Sequence, residues 1–235
     1  GGWHPDKGGK GELSQHKTVA DADLVYRKAD GSLTYRWNLL DLRLTRFVKM
    51  GYTNLTLVLD QIPYCLAERP HLEKYGQATP PSDMREWYVF IRDLCRELER
   101  RYGTKAANGF RFRLGTELGS GKRIALSQGQ LHEMYGLTHK AIKGVLPDAK
   151  LGPWNEAGFK NNQKQAPLNV LELAQYAKDN DMAFDFASVS SYSIPKLRGD
   201  SVANSSPEQK ADSDARYFRA LREVFPGLWA EYHEF

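Results

Sequence analysis

The sequence predicts an α/β chain of (β/α)8-barrel type, and three observations lead there. Helical periods alternate with short apolar runs from Tyr35 onward, no phosphate-binding glycine motif follows those runs, and their C-terminal ends carry carboxylate, amide, hydroxyl and aromatic groups. Such alternation marks repeated βα units and a parallel sheet, which argues against an antiparallel sandwich. An open doubly wound sheet would show the same alternation, but its cue, GxGxxG or GxxxxGK followed by Ser or Thr, is missing. Functional groups at strand ends are what a barrel presents, so the barrel is the better reading.

The elements come in order. Trp37 to Met50 places Leu39, Leu40, Leu44, Phe47 and Val48 on one helical face, and Gly51 stops it. Leu55 to Leu59 (LTLVL) is a near-continuous apolar run, as expected of a parallel strand covered on both faces. Pro80, Pro81, Ser82 and Asp83 announce a helix over 84–102, in which Trp87, Phe90, Ile91, Leu94 and Leu98 keep the helical period. A strand over 110–114, a helix over 128–145 and a strand over 150–154 come next, the last opening on a polar loop to Ala166. A helix over 168–180 leads to a strand over 184–189, and a helix from Ser206 to Phe225 feeds a final strand at 228–231.

At 235 residues and 41% hydrophobic composition, the chain fits one large domain with a sizeable core. No apolar run approaches the ~18 residues of a membrane span, and Gly1 to Gly11 is polar and glycine-rich rather than leader-like. Thirty-three basic and 29 acidic residues are interspersed, for a net charge of +4, so no nucleic-acid stripe stands out. Cys65 and Cys95 do not make a disulfide framework and read as buried free thiols. The six histidines show no HxH or HExxH spacing, so a metal site is not expected; His132 and His139 read as exposed helix residues. Trp3 and His4 lie in a Gly-rich opening segment that reads as a flexible terminus.

Glu117 ends the alternating run FRFRLGTELG, where a buried strand would open into a pocket, and Glu231 ends a second apolar run, GLWAEYHEF, near the C-terminus. Two strands that each deliver a carboxyl group to one rim are the minimum equipment for cleaving a glycosidic bond. Glu234 competes with Glu231, but positions three apart on a strand face opposite ways, and Glu231 fits the pattern better. Arg111 and Arg113 share the parity of Glu117 and are expected inside, as a buried ion pair with Asp60 as the expected partner. His233 shares the parity of Glu231 and is a candidate substrate contact.

With these residues in view, the chain resembles the family 39 glycoside hydrolases, the β-xylosidase and α-L-iduronidase group of retaining barrel enzymes. LTLVLDQIPYCLA resembles the family's third strand and the segment just after it, and PPSDMREWYVFIRDLCRELERRYG the helix that leads to its fourth. FRFRLGTEL stands at the Trp-Asn-Glu-Pro motif, which puts Glu117 on the acid/base; THKAIKGVLPDAKLGP resembles the approach to the fifth strand. FDFASVSSYS resembles the sixth strand, with Tyr192 on an active-site tyrosine, and FPGLWAEY the seventh, with Glu231 on the nucleophile. The resemblance therefore implies strands three to seven of a barrel, a carbohydrate partner, no cofactor and a secreted or periplasmic protein.

Gly115 and Thr116 replace the Trp and Asn before the acid/base, so the usual contact to the sugar 2-hydroxyl is lost or passes to the Thr116 hydroxyl. Ser190 replaces a His, and Ala230 the Thr before the nucleophile. Trp154-Asn155-Glu156 spells the family's acid/base tripeptide one strand late, so Glu156 reads as a decoy in a solvated loop. Trp154 and Asn155 are then candidates to line the sugar subsite, Trp154 as a stacking face. Two rival readings remain: a carbohydrate-binding barrel without catalysis, and a metal-dependent barrel enzyme, which the histidine spacing opposes.

Overall fold

The structure is a computed structural model that describes residues 4–5, 13–14, 23–70, 79–120, 123–157, 167–191 and 206–234. Tyr192, Trp3, His16, His71 and most of the loop before Ala166 lie outside the described residues. Two short antiparallel pairs come first: β1 (His4–Pro5) with β2 (Leu13–Ser14), and β3 (Val25–Arg27) with β4 (Leu33–Tyr35). The second pair turns at Gly31, whose φ of 84° suits a residue without a Cβ.

The helix expected over 37–50 is three pieces, α1 (Asn38–Leu40), a π-helical turn (Asp41–Thr45) and α2 (Arg46–Lys49). The widened turn rotates the apolar stripe, so Leu40 is buried while Phe47 is 42% exposed. Helix α3 (Met84–Tyr102) has the expected bounds; Asp83 caps it by accepting from the Arg85 amide, and Trp87, Phe90, Ile91, Leu94 and Leu98 are buried. After α4 (Thr104–Asn108) come α5 (Gln128–Lys143), α6 (Val170–Asp179) and α7 (Pro207–Val224). The first and last of these three open with capping boxes, Ser127 with Gln130 and Ser206 with Gln209. No helix among the described residues is long and apolar enough to cross a membrane.

Two parallel groups of strands lie in sequence order. The first is β5 (Thr56–Leu59), β6 (Arg111–Leu114) and β7 (Lys150–Gly152); the second is β8 (Asn155–Glu156), β9 (Phe186–Ser190) and β10 (Trp229–Glu234). The strand expected over 150–154 is interrupted at Pro153, which has no amide proton to give to a ladder, and resumes as β8. A Thr116–Asn155 bridge and the Asp185 amide on the Leu151 carbonyl, at 2.8 Å, join the two groups into one run.

Leu57, Leu59, Phe112, Leu114 and Leu151 share one face of this run, and most of them are buried in the hydrophobic core beneath the helices. Arg111 and Arg113 occupy the other face. Three inter-strand steps separate β6 from β10, roughly 14 Å across a flat sheet. Yet Arg111 binds Glu231 directly and Arg113 lies 2.7 Å from His233, so the sheet curls with these side chains inside.

Candidate active site

The concave face is built from strand register. Thr116 bridges Asn155, Asn155 pairs with Ser188, and Ser188 pairs with Glu231. One row across the sheet thus runs from the residue before Glu117 to Glu231, and the two carboxylate-bearing segments lie at the same level. Glu117 is reached through a sharp exit from β6: Gly115 has a φ of 83° and Glu117 itself a φ of 50°. A Cβ on Gly115 would lie 2.5 Å from Leu118 Cδ1, so glycine is required there both by conformation and by space. Left-handed backbone at a non-glycine residue costs about 1–2 kcal/mol and persists only where the surroundings impose it. Here the Glu117 amide is held by the Asn155 carbonyl at 3.1 Å.

The Glu117 carboxylate is half-buried and accepts from Arg123 Nη2 at 2.7 Å. Glu231, with a side chain 10% exposed, is held at both oxygens: Arg111 binds Oε1 and His233 Nε2 lies 2.7 Å from Oε2. Arg111 also sits above the Phe186 ring, 5.9 Å from its centroid. The expectation of an inward-facing arginine in a buried ion pair holds for Arg111, but its partner is Glu231 rather than Asp60. Asp60 is the local neighbour in sequence order, whereas curling of the sheet brings β10 to β6. Arg113 is buried and donates to Thr116 Oγ1 at 2.9 Å and to the Gly115 carbonyl at 3.2 Å.

Several candidates sit otherwise than expected. Trp154 is fully buried and its indole N–H donates to Glu156 Oε2 at 3.1 Å, so it offers no stacking face to a sugar. Glu156 is not a solvated loop residue: it is 7% exposed and pairs in register with Val189, on the face opposite Asn155. Asn155 is buried with its amide on Ser190 Oγ, and Thr116 is also buried, its hydroxyl engaged by Arg113. His233 has both ring nitrogens on protein partners, which leaves neither for a sugar hydroxyl. His132 and His139 are half-buried, His132 stacked on Tyr176 at 4.3 Å, and burial lowers the pKa of both rings. Cys95 is buried as expected and Cys65 only partly so.

Arg123 and Ser188 escaped the sequence reading. Arg123 lies six residues past Glu117 in irregular chain, where no period points to it. Ser188 could have been found from the parity of Phe186 and Ser190 on one strand face.

Comparison with known proteins agrees with this architecture. A monomeric β-xylosidase from Caulobacter crescentus CB15 superposes with a TM-score of 0.69 at 21% identity, over 88% of this chain and 42% of its own. A GH39 enzyme from Xanthomonas axonopodis pv. citri comes next with a TM-score of 0.63 at 21% identity, over 85% of this chain and 38% of its own. At such identities the likeness establishes the fold, a TIM-barrel-like α/β architecture. In sequence, an α-1,4-L-rhamnosidase from Formosa agariphila is 27% identical over 154 residues, 62% of this chain and 31% of the rhamnosidase. The chain thus spans less than half the length of each of these relatives. Residues 6–231 match the family described as glycosyl hydrolases family 39, and the chain belongs to that family.

Proposed function

We propose that this chain supplies the catalytic carboxylates of a retaining glycoside hydrolase, with Glu231 as nucleophile and Glu117 as acid/base. The register row Thr116–Asn155–Ser188–Glu231 carries this reading, because it sets both carboxylate-bearing segments at one level of one concave face. In the first step a Glu231 oxygen bonds to the anomeric carbon as the glycosidic C–O bond breaks, and the proton of Glu117 goes to the departing oxygen. In the second, Glu117 takes a proton from water, whose oxygen displaces Glu231 from that carbon. A retaining pair works at a carboxyl separation of about 5–5.5 Å.

On this reading the parallel run β5 to β10 corresponds to strands three to seven of the barrel. Relatives named for xylose, rhamnose and glucose linkages differ in their sugar, so the substrate class is carbohydrate and the linkage is a matter for assay. No cofactor takes part. A screen of aryl glycosides and oligosaccharides with the full-length protein, with product anomers tracked by proton NMR, tests the proposal. Retention supports it, and inversion contradicts it.

One observation favours a rival, a carbohydrate-binding barrel without catalysis: arginines bind both carboxylates, Arg111 that of Glu231 and Arg123 that of Glu117. Sugar binding with no hydrolysis, unchanged by Glu231→Ala, would favour it.

A further inference from the structure

His233 lies between two strongly constrained partners. Its Nδ1 is 2.7 Å from Arg113 Nη1 and its Nε2 is 2.7 Å from Glu231 Oε2. A guanidinium has N–H donors and no lone pair to offer, so Nδ1 has to be the acceptor. The ring proton then sits on Nε2, where it donates to the carboxylate. The side chain is 13% exposed, and the Phe186 ring flanks it with centroids 6.0 Å apart.

Arg113 is itself anchored, through Nη2 to Thr116 Oγ1 and through Nε to the Gly115 carbonyl. A hydrogen-bonded path therefore runs from the turn that delivers Glu117, through Arg113 and His233, to one oxygen of Glu231. Arg111 holds the other oxygen. Two residues of β6 and one of β10 thus orient a single carboxylate across the concave face.

We infer that His233 is a positioning residue that, as one fixed tautomer with its proton on Nε2, orients the Glu231 carboxylate and ties it to the Gly115–Thr116 turn. Its kinetic consequence rests on the nucleophile role proposed for Glu231; the tautomer does not. The first test is long-range nitrogen–proton NMR on the full-length protein labelled at histidine, with the His233 signals identified by their loss in His233→Gln. The Nε2–H pattern is expected, and an Nδ1–H ring or an imidazolium at neutral pH would overturn the inference.

The second test compares His233→Phe, which keeps a ring without nitrogens, with His233→Gln, which can still accept from Arg113 and donate to Glu231. Misplacing a reacting group by about 1 Å costs ~10²-fold, so the Phe variant should lose about that in kcat on an aryl glycoside with KM little changed. The Gln variant should recover about tenfold or more of the loss. A raised KM with intact kcat would make His233 a substrate contact instead, and wild-type kinetics in both variants would remove its role. If the Phe variant does not fold, the wild-type tautomer still decides the assignment. If the wild-type protein hydrolyses nothing, the glycosidase reading fails while the NMR result on His233 stands by itself.

Discussion

The Arg111–Glu231 pair offers a measurable consequence of the curled sheet. The two side chains are 24% and 10% exposed, so each loses most of its water and depends on the other. Direct attraction of such a pair amounts to about 4 kcal/mol at an effective dielectric of ~20, and dehydration offsets roughly half. Arg111→Met leaves Glu231 with only His233, and Glu231→Gln leaves the Arg111 guanidinium opposite a neutral amide. Each single change should destabilise by about 2–3 kcal/mol, because an uncompensated buried charge remains. The double variant removes both charges and should cost about 2 kcal/mol less than the sum of the singles. Urea unfolding of the four full-length proteins, monitored by tryptophan fluorescence with m-values compared, gives the cycle. Additivity within about 0.5 kcal/mol, or a stabilising Glu231→Gln, would refute the claim that these residues meet inside the sheet.

Three further outcomes are expected. Glu117→Gln should lose most turnover on substrates with poor leaving groups and keep more on activated aryl glycosides; equal loss on both would contradict an acid role. Burial raises the Asp23 carboxyl to about 6, against a hydrogen bond from the Tyr64 amide that lowers it. The folded state then binds this proton more tightly than the unfolded chain, so the stabilisation is complete below about 3.8 and is lost as pH rises through about 6. Asp23→Asn keeps an acceptor for Tyr64 without the charge, and should be more stable than wild type at pH 7 by up to about 3 kcal/mol, with no gain at low pH. Gly115→Ala, with its methyl against Leu118 in left-handed backbone, should destabilise by about 2–3 kcal/mol or displace Glu117, measured as a lowered unfolding midpoint or lost activity.

The fold was legible where signals are local. Asp83 and Ser206 announce their helices by capping chemistry, and the apolar period of 84–102 needs no tertiary information to be read. The β3–β4 hairpin was missed because strands of three residues carry too little alternation to register. Pro153 could have signalled the break between β7 and β8, since a central strand has no place for a missing donor.

The site divides in the same way. Glu117 and Glu231 were visible as carboxylates closing apolar runs, although β10 continues past Glu231 to Glu234, and their common level became evident only through the register of four strands. Their surroundings were not legible: Trp154 and Glu156 are turned to the other side by where β8 restarts, and the partner of Arg111 is 120 residues away. Pairing across a curled sheet is a property of curvature, which no window of sequence contains.

The central claim is that Glu231 reacts with the sugar and Glu117 serves it with protons. Incubating the full-length protein with a 2-deoxy-2-fluoro glycoside carrying an activated leaving group, of the sugar identified by the screen, should trap the covalent intermediate. Mass analysis of the peptides reads the labelled residue. The sugar is predicted on Glu231. A sugar found on Glu234 or on Glu156 would contradict the assignment.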